Sequence, residues 1–332
     1  MSDKLRFGVI GCSGIAERST IPAIKNSQFA ELQMIGSRSE KKAEEFARKF
    51  GCQNFGTYEE ILENKEVDAV YISVPIGLHE EWTAKAAKAG KHVLCEKSST
   101  TSYESACKMV DVCKQNSVRL MEGFMFRFHP QHKKVLELIK NGMLGKLFVF
   151  NGMYGFPPIP LTDIRFRKDL GGGILNDAGC YPICASRIIF GEEPLGVFCN
   201  LSIDTKTQVD TKASLYLTYD DMKSAQMSVG YDLFFQSTYS IWGSEGFLNL
   251  TRSYNIPSDM KATMILSNKI GKQEILIEPS DHFLIMVDSF CKGITNSFHE
   301  FDFEEDLLKQ ARIMQAARIS FNEKRFVKID EV

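Results

Sequence analysis

The first third of the chain alternates short apolar runs, rich in β-branched residues, with stretches of helical pattern. The runs that predict strands are LRFGVIG (5–11), ELQMIGS (31–37), DAVYISV (68–74), KHVLCE (91–96) and VRLMEG (118–123). The helices predicted between them are 14–25, 39–50, 57–64, 78–89 and 100–115. Strands that alternate with helices form parallel β-α-β units, with helices on both faces of one sheet. The pattern therefore predicts an α/β fold, a doubly wound parallel sheet of the Rossmann type, over residues 1–123.

After about residue 145 the pattern changes to longer runs rich in Val, Ile, Phe, Tyr and Thr. Short polar turns, such as those at 220–222 and 268–272, join several of these runs. Long strands joined by short turns are typical of an antiparallel meander. We therefore predict a second, α+β domain with a mostly antiparallel, open-faced sheet over residues 124–332.

Two helical stretches accompany the strands of this second domain. One lies near 173–190, and the other closes the chain over about 302–321. The closing helix has Asp302 as its candidate N-cap, acidic residues in its first turn and an apolar stripe along one side. We expect this helix to pack back on the first domain.

The composition bounds the class of protein. A chain of 332 residues predicts two domains at about 150 residues each. Forty Lys and Arg stand against 42 Asp and Glu, so a net charge of −2 argues against nucleic acid as the partner. The amino terminus lacks a signal-peptide pattern, and no apolar segment reaches the ~20 residues that cross a bilayer. Nine scattered cysteines, with no C-x-x-C pair or zinc spacing, predict reduced thiols in a cytoplasmic protein and no metal site.

A glycine-rich turn, Gly11–Cys12–Ser13–Gly14–Ile15, links the first predicted strand to the first predicted helix. It matches G-x-G-x-x-A except that Ser13 stands at the second glycine. A helix amino terminus offers free N–H groups and the positive end of a dipole to a pyrophosphate. Ser13 must then either stand aside or donate its hydroxyl to a phosphate oxygen. The turn predicts a dinucleotide site; the alternative is a tight turn without a ligand.

The residues at the end of the second predicted strand indicate which dinucleotide the site prefers. An NAD-preferring site usually has Asp or Glu there to accept from the ribose 2′-hydroxyl, whereas this chain has Ser37 and Arg38. A hydroxyl and a guanidinium suit a 2′-phosphate, and Lys42 adds positive charge. We predict NADP(H), with NAD(H) as the alternative cofactor; the competing interpretation is that these cations only solvate the start of a helix.

Four ordered blocks carry a resemblance to a known family. They are GCSGIAERSTIPAI, DAVYISVPIGLHEEWTAKAAKAGKHVLCEK, LMEGFMFRFHP and LGGGILNDAGCYPI. In this order they resemble the glucose-fructose oxidoreductase, inositol dehydrogenase and MocA family of NAD(P)-dependent sugar oxidoreductases. The resemblance implies the two-domain fold predicted above, a carbohydrate substrate, and a homodimer or homotetramer formed through the sheet of the second domain.

The resemblance also assigns site residues. Glu96 and Lys97 match the family's E-K-P motif, which places Lys97 beside the nicotinamide and the reacting oxygen. Ser98 replaces the proline of that motif, at a bond where a cis peptide costs about 2.5–4 kcal/mol without proline. The family segment D-x-G-x-H or D-x-G-x-Y carries over to Asp177 and Tyr181. Taken alone, a lysine at a strand end is more often a surface residue, and a tyrosine in an apolar helix is more often a core phenol.

These residues suit hydride transfer at a carbon that bears oxygen. Lys97 supplies a fixed positive charge, and a cation within ~4–6 Å favours the phenolate of Tyr181, which eases proton exchange. Tyr181 is then the proton donor for reduction. Asp177, about one helical turn earlier, orients Lys97 or accepts a sugar hydroxyl.

The remaining candidates are assigned by position. The residues expected at the cofactor, besides those of the glycine-rich turn and of the second strand, are Pro75, His79, Glu96 and Lys97. The residues expected at the substrate pocket are Glu122, Arg127, Arg165, Asp177 and Tyr181.

The function expected from these residues is NADP(H)-dependent interconversion of a hydroxyl and a ketone on a carbohydrate. The opening block and the D-A-G-C-Y segment look most like the branch that reduces keto groups of nucleotide-linked sugars. One alternative is a dehydrogenase of free aldoses or trans-dihydrodiols, which the F-M-F-R-F-H-P block also resembles. A second alternative is an NADP-sensing regulator without chemistry, against which the retained Lys97, Asp177 and Tyr181 argue.

Overall fold

The computed structural model describes residues 4–295 and 301–332, and the chain divides into two compact units. The first unit comprises Met1–Met125 and Phe283–Leu308, and the second comprises Phe126–His282 and Lys309–Val332. The first unit therefore includes a late segment, 283–308, that the sequence pattern alone placed with the second domain.

The first unit is built on a six-stranded parallel sheet with the strand order β3-β2-β1-β4-β5-β6. Its strands are β1 Leu5–Ile10, β2 Ala30–Gly36, β3 Asn54–Gly56, β4 Ala69–Ile72, β5 His92–Glu96 and β6 Leu120–Gly123. Every residue of β4 and of β6 is buried, as expected when helices cover both faces of a parallel sheet. The strand order reverses direction between β1 and β4, and the predicted Rossmann class is confirmed.

The helices of this unit alternate with its strands. They are α1 Ile21–Asn26, α2 Glu40–Phe50, α3 Tyr58–Glu63, α4 His79–Lys88 and α5 Tyr103–Gln115. Local sequence explains several starts: Ser39 and Ser102 cap α2 and α5, and Thr57 forms a capping box with Glu60 at α3. The predicted helix 14–25 begins as a π-helical turn, Ala16–Thr20, before α1.

The second unit contains a nine-stranded sheet with the strand order β14-β13-β12-β11-β7-β10-β9-β8-β15. Its strands are β7 Leu147–Gly155, β8 Gly196–Ile203, β9 Asp210–Thr218, β10 Ser224–Gly230, β11 Gln236–Gly243, β12 Gly246–Leu250, β13 Ala262–Asn268, β14 Gly271–Ile277 and β15 Val327–Lys328. Neighbouring strands pair antiparallel, except that β7 and β10 pair in parallel. The sheet is thus mostly antiparallel as predicted, although it is not one continuous meander.

Helices α6 (Pro130–Lys140) and α7 (Cys180–Phe190) belong to the second unit. Helix α7 packs on β7 and β10, and a side chain at Gly152 of β7 would lie 2.7 Å from Pro182 Cβ, so only glycine permits this approach. The opposite face of the sheet exposes large apolar side chains, namely those of Phe198, Tyr216, Trp242 and Phe247. One buried face and one open face are therefore present.

The last two helices are α8 (His282–Thr295) and α9 (Phe303–Glu323). The side chain of Asp302 accepts from the Glu305 N–H at 2.9 Å, which confirms it as the cap of the closing helix. The carboxylate of Glu304 accepts from the Arg119 guanidinium at 2.9 Å and from the Leu120 N–H at 2.8 Å. The start of α9 is thereby fixed to β6. Within the described residues, no helix combines the length and the apolar character that a membrane span requires.

Candidate functional site

The glycine-rich turn lies at the carboxyl ends of β1 and β4, where the strand order reverses. Gly11 has a φ of +109°, and a Cβ there would lie 3.1–3.2 Å from Ser73 and Val74. Both the backbone conformation and the close approach therefore require glycine. The Ser73 hydroxyl donates to the Gly11 carbonyl at 2.8 Å and joins the two strand ends. Open parallel sheets bind dinucleotides at this topological position.

Ser13 turns its hydroxyl toward the helix that follows, where Oγ accepts from the Ala16 N–H at 3.1 Å. A hydroxyl that accepts in this way still has its own proton to donate to a phosphate. Cys12 points inward, with Sγ 3.7 Å from the Gly36 carbonyl, and burial raises the pKa of this thiol to about 11. Cys12 therefore presents only its backbone to a ligand, beside the exposed Gly14 and the half-buried Ile15.

Two exposed cations, Arg38 and Lys42, flank the carboxyl end of β2 at the start of α2. Ser37 is buried between them and the sheet: its N–H donates to the Gly56 carbonyl at 3.0 Å, and its Oγ accepts from the Ser39 N–H at 3.2 Å. The Lys42 carbonyl lies 3.9 Å from the Cys12 sulfur, so this cluster adjoins the glycine-rich turn. A positive φ at Gly11, a helix start directly after the turn and neighbouring cations fit the phosphates of a dinucleotide.

Lys97 follows directly after β5, at the same edge of the sheet, and the Lys97–Ser98 peptide bond is cis. The preceding Glu96 is buried, accepts from the Tyr71 hydroxyl at 2.6 Å, and accepts from the Lys97 N–H at 3.3 Å. Burial raises the pKa of Glu96. The predicted cofactor residue Glu96 thus ties β4 to the start of the segment that carries Lys97.

Three further predicted residues lie at this edge. Pro75 leads from β4 into the turn before α4. The ring of His79 lies against backbone carbonyls of the Val74 and the 98–99 segments, and Glu122 accepts from the Ser99 N–H at 2.7 Å. Glu122, predicted for the substrate pocket, therefore also supports the segment after β5.

In the second unit, Tyr181 stands in the first turn of α7 with 4% of its surface exposed. Its ring lies 5.2 Å from that of Tyr154 and 5.7 Å from those of Phe126 and Tyr254, measured between centroids. These aromatic contacts fix the direction of the phenol. Arg127, also expected at the pocket, lies in a single turn of 3₁₀ helix at Met125–Phe128.

Asp177 lies in a π-helical turn, Leu175–Gly179, immediately before α7. Its Oδ2 accepts from Arg165 Nε at 2.7 Å and from the Tyr231 hydroxyl at 3.3 Å. Arg165 also pairs with Asp163 at 3.2 Å. Burial, followed by the charge of Asp177, raises the pKa of Tyr231 well above its usual value, so this phenol stays a donor. The structure thus brings together two predicted residues, Asp177 and Arg165, with one that the sequence did not indicate, Tyr231.

The turn that holds Asp177 is supported by residues that the sequence analysis missed. Asp210 at the start of β9 accepts from the Leu175 N–H at 2.6 Å. Arg318 of α9 donates to Asn176 Oδ1 at 2.5 Å, and the Asn176 amide donates to the Gly171 carbonyl at 3.0 Å. The sequence feature nearest to this network is the glycine run at 171–173, which does not indicate any of these partners.

A parallel sheet with a glycine-rich turn at its reversal point and with cations after β2 has the architecture of an NAD(P)-binding Rossmann domain. Residues 5–124 match the model described as "Oxidoreductase family, NAD-binding Rossmann fold", and residues 132–249 match the GFO/IDH/MocA C-terminal domain. The chain belongs to the GFO/IDH/MocA family of oxidoreductases. The resemblance predicted from the four sequence blocks is confirmed. No cluster of three metal-ligating side chains occurs in the part of the chain that the structure describes.

Relatives of known activity are similar over nearly the whole chain. The dTDP-3,4-didehydro-2,6-dideoxy-alpha-D-glucose 3-reductase of Actinomadura kijaniata is 32% identical over 317 residues, which cover 96% of each chain. D-xylose 1-dehydrogenase (NADP(+)) 2 of Haloferax volcanii is 32% identical over 306 residues, 91% of this chain and 93% of the relative. The crystal structure of KijD10, a 3-ketoreductase from Actinomadura kijaniata in complex with NADP and TDP-benzene, is similar with a TM-score of 0.92. That comparison covers 96% of this chain and 98% of KijD10, at 32% identity.

Proposed function

We propose that this protein is an NADP(H)-dependent reductase of a ketone on a nucleotide-linked sugar. The observation that carries the proposal is the place of Lys97, at the carboxyl end of β5 in a dinucleotide-binding sheet. The similarity to the Actinomadura kijaniata 3-reductase over 96% of the chain supports the substrate class.

The cofactor is assigned to the glycine-rich turn and to the cations after β2. Backbone N–H groups at Ser13, Gly14 and Ile15 would hold the pyrophosphate, and the Ser13 hydroxyl would add a donor. Arg38, together with Lys42, would hold the 2′-phosphate, and this contact would favour NADP(H) over NAD(H). When bound there, NADPH would supply the hydride that reduces the carbonyl carbon of the sugar.

The chain supplies the proton and the charge that this hydride transfer requires. Tyr181 donates its phenolic proton to the carbonyl oxygen, so that the ketone, a hydride and a proton become an alcohol. To the ammonium of Lys97, in the first unit, we assign the stabilisation of the negative charge that develops during hydride transfer. The carboxylate of Asp177 is oriented by Arg165 and Tyr231, and it accepts a hydrogen bond from a hydroxyl of the sugar.

A substrate panel tests the proposal. Purified protein is assayed with NADPH and dTDP-linked keto sugars, and with NADP⁺ and free aldoses or trans-dihydrodiols, by the nicotinamide absorbance. We expect turnover to be highest with the dTDP-linked ketones and to be lost in Lys97→Ala. Turnover confined to free sugars would support the dehydrogenase alternative, which the similarity to the Haloferax volcanii enzyme favours.

The same panel separates catalysis from sensing. If NADP binds tightly but nothing turns over, and a Lys97→Ala, Tyr181→Phe double variant keeps its function in the cell, the protein is a sensor of the cofactor. Loss of cellular function in that double variant instead supports catalysis.

We infer a homodimer or homotetramer through the open face of the nine-stranded sheet. This face exposes Trp242, which packs edge-on against Phe148 at 6.1 Å, together with Phe198 and Tyr216. Contiguous exposed apolar groups of this kind mark interaction surfaces. Light scattering should show an oligomer that Trp242→Glu weakens, while the control Met222→Glu, exposed in a turn, leaves it intact. A wild-type monomer would exclude this interface.

We also assign the protein to the cytoplasm. No disulfide joins any of the described cysteines, and most of their thiols are buried. A reducing compartment keeps such thiols intact. Fractionation of cells that express the tagged full chain tests this assignment, and recovery in a secreted or membrane fraction would contradict it.

A further inference from the structure

The segment after β5 is polar in sequence but buried in the structure. Ser98, Ser99 and Thr100 directly follow Lys97, and all three are buried. Backbone groups in a buried segment need hydrogen-bond partners, because water does not reach them. The partners of this segment therefore determine where Lys97 is held.

His79, the first residue of α4, provides partners on one side. Its Nδ1 lies 3.1 Å from the Ser98 carbonyl oxygen and 3.2 Å from that of Ser99. Its Nε2 lies 2.8 Å from the Val74 carbonyl oxygen, just after β4. The ring is 1% exposed, so it bridges the ends of two neighbouring strands without contact with bulk solvent.

Glu122 of β6 provides the partner on the other side, where Oε1 accepts from the Ser99 N–H at 2.7 Å. Ser99 is thus held through its carbonyl from the β4 side and through its N–H from the β6 side. The segment lies between these two contacts, and Lys97 is only two residues from Ser99.

We propose that His79 is a positioning residue for Lys97, which acts through the hydrogen bond between Nδ1 and the carbonyls of Ser98 and Ser99. This inference rests on the proposed function, because Lys97 is the group that is positioned. Burial lowers the pKa of His79 to about 4, so the ring is neutral at physiological pH and donates from one nitrogen at a time. Both nitrogens face carbonyl oxygens, and the contact that positions Lys97 is the one made by Nδ1.

Two substitutions distinguish the contacts of Nδ1 from the contact of Nε2. The amide nitrogen of Asn is two bonds from Cβ, as Nδ1 of histidine is, whereas that of Gln is three bonds away, as Nε2 is. His79→Asn therefore keeps a donor toward Ser98 and Ser99, and His79→Gln keeps one toward Val74. His79→Phe removes both donors and keeps most of the volume of the side chain. His92→Phe is the matched control, because His92 lies at the opposite end of β5 and accepts there from the Arg119 N–H at 2.9 Å.

Kinetics with a dTDP-linked ketone provide the first readout. We expect His79→Phe to lower kcat about 10- to 100-fold, the scale of a small misplacement of a catalytic group, with little change in the affinity for NADPH. His79→Asn should recover most of that loss and His79→Gln should not, while His92→Phe should keep the wild-type kcat. Rescue by Gln instead of Asn, or a wild-type kcat in His79→Phe, would overturn the proposal.

Amide hydrogen exchange provides a readout that does not depend on any substrate. The Ser99 N–H should exchange at least about 10-fold faster in His79→Phe and in His79→Gln than in the wild type, but not in His92→Phe. Unchanged exchange refutes the positioning role even if the enzyme is active. Faster exchange in a protein that turns over no sugar would keep the positioning role and reject the proposed function.

Discussion

Tyr181→Phe is the substitution that most directly tests the assigned chemistry. Tyr181 is packed through its ring against Tyr154, Phe126 and Tyr254, at centroid distances of 5.2–5.7 Å. Phenylalanine keeps that ring and removes only the hydroxyl, so the aromatic cluster and the direction of α7 should persist.

The size of the effect follows from what the hydroxyl is assigned to do. A positioned general acid contributes about 10²- to 10⁴-fold, which corresponds to roughly 3–5 kcal/mol of transition-state stabilisation. The residues that we assign to NADPH lie in the first unit, so the affinity for NADPH should change by less than about 3-fold, because no group there is altered. We expect kcat to fall within that range, while the free energy of unfolding changes by at most about 1.5 kcal/mol.

The assay is stopped-flow reduction of a dTDP-linked ketone, with NADPH affinity and thermal unfolding measured on the same preparation. Tyr219→Phe is the control, because the hydroxyl of this buried tyrosine forms a hydrogen bond of 2.7 Å with Ser186 Oγ, and Ser186 lies in α7, the helix that carries Tyr181. The Tyr219→Phe substitution should lower the free energy of unfolding and leave kcat unchanged. If Tyr181→Phe retained kcat within a few fold, or lost activity only in proportion to lost stability, Tyr181 would not be the proton donor.

Three further predictions concern the cofactor and the stability. Arg38→Ala should raise KM for NADPH about 10- to 100-fold and leave KM for NADH unchanged, since a charge-assisted hydrogen bond contributes about 1.5–3 kcal/mol; equal effects on both would contradict the 2′-phosphate assignment. Glu304→Ala leaves Arg119 and a buried N–H without their partner, and urea unfolding should show a loss of about 3–5 kcal/mol, whereas a loss under 1 kcal/mol would refute that reasoning. Burial lowers the pKa of His132 and of His282 to about 3, so the unfolded chain binds their protons first. The contribution of these neutral histidines to the free energy of unfolding is then fully present above about pH 6.5. It is lost as the pH drops toward 3, by up to about 1.4 kcal/mol per pH unit for each histidine. A urea midpoint that is constant from about pH 7 to 5 would contradict this prediction.

The arrangement of the first unit follows closely from its sequence because each element there is specified locally. The run predicted as a strand at 31–37 is β2 Ala30–Gly36, and the predicted helix 39–50 is α2 Glu40–Phe50 with its serine cap. Carboxyl ends of parallel strands share one edge, so the glycine-rich turn and Lys97 could be placed at that edge before any coordinates. The π-helical turn at Ala16–Thr20 could not, because apolar periodicity does not report a shift of one residue in the hydrogen-bond pattern.

In the second unit, the sequence did not predict the contacts between segments that are distant along the chain. The parallel pair of β7 and β10 joins strands that are separated along the chain by α7 and two further strands. Tyr231, Asp210 and Arg318 reach the Asp177 turn from three distant parts of the chain, and none stands at a motif spacing from Asp177. Sequence patterning specifies which face of an element is apolar, but it does not specify which polar groups the folded chain brings into contact.

The bond network of Glu304 has a consequence for biosynthesis. The first unit also contains Phe290, whose ring lies 5.9 Å from that of Phe7, and Asp288, whose carboxylate accepts from the Ser27 hydroxyl at 2.5 Å. On the ribosome, these contacts have to wait until residues 126–282 of the second unit have been translated. The amino-terminal sheet therefore emerges early but completes its packing late, and an expression fragment that stops at residue 125 should be recovered mainly in the insoluble fraction.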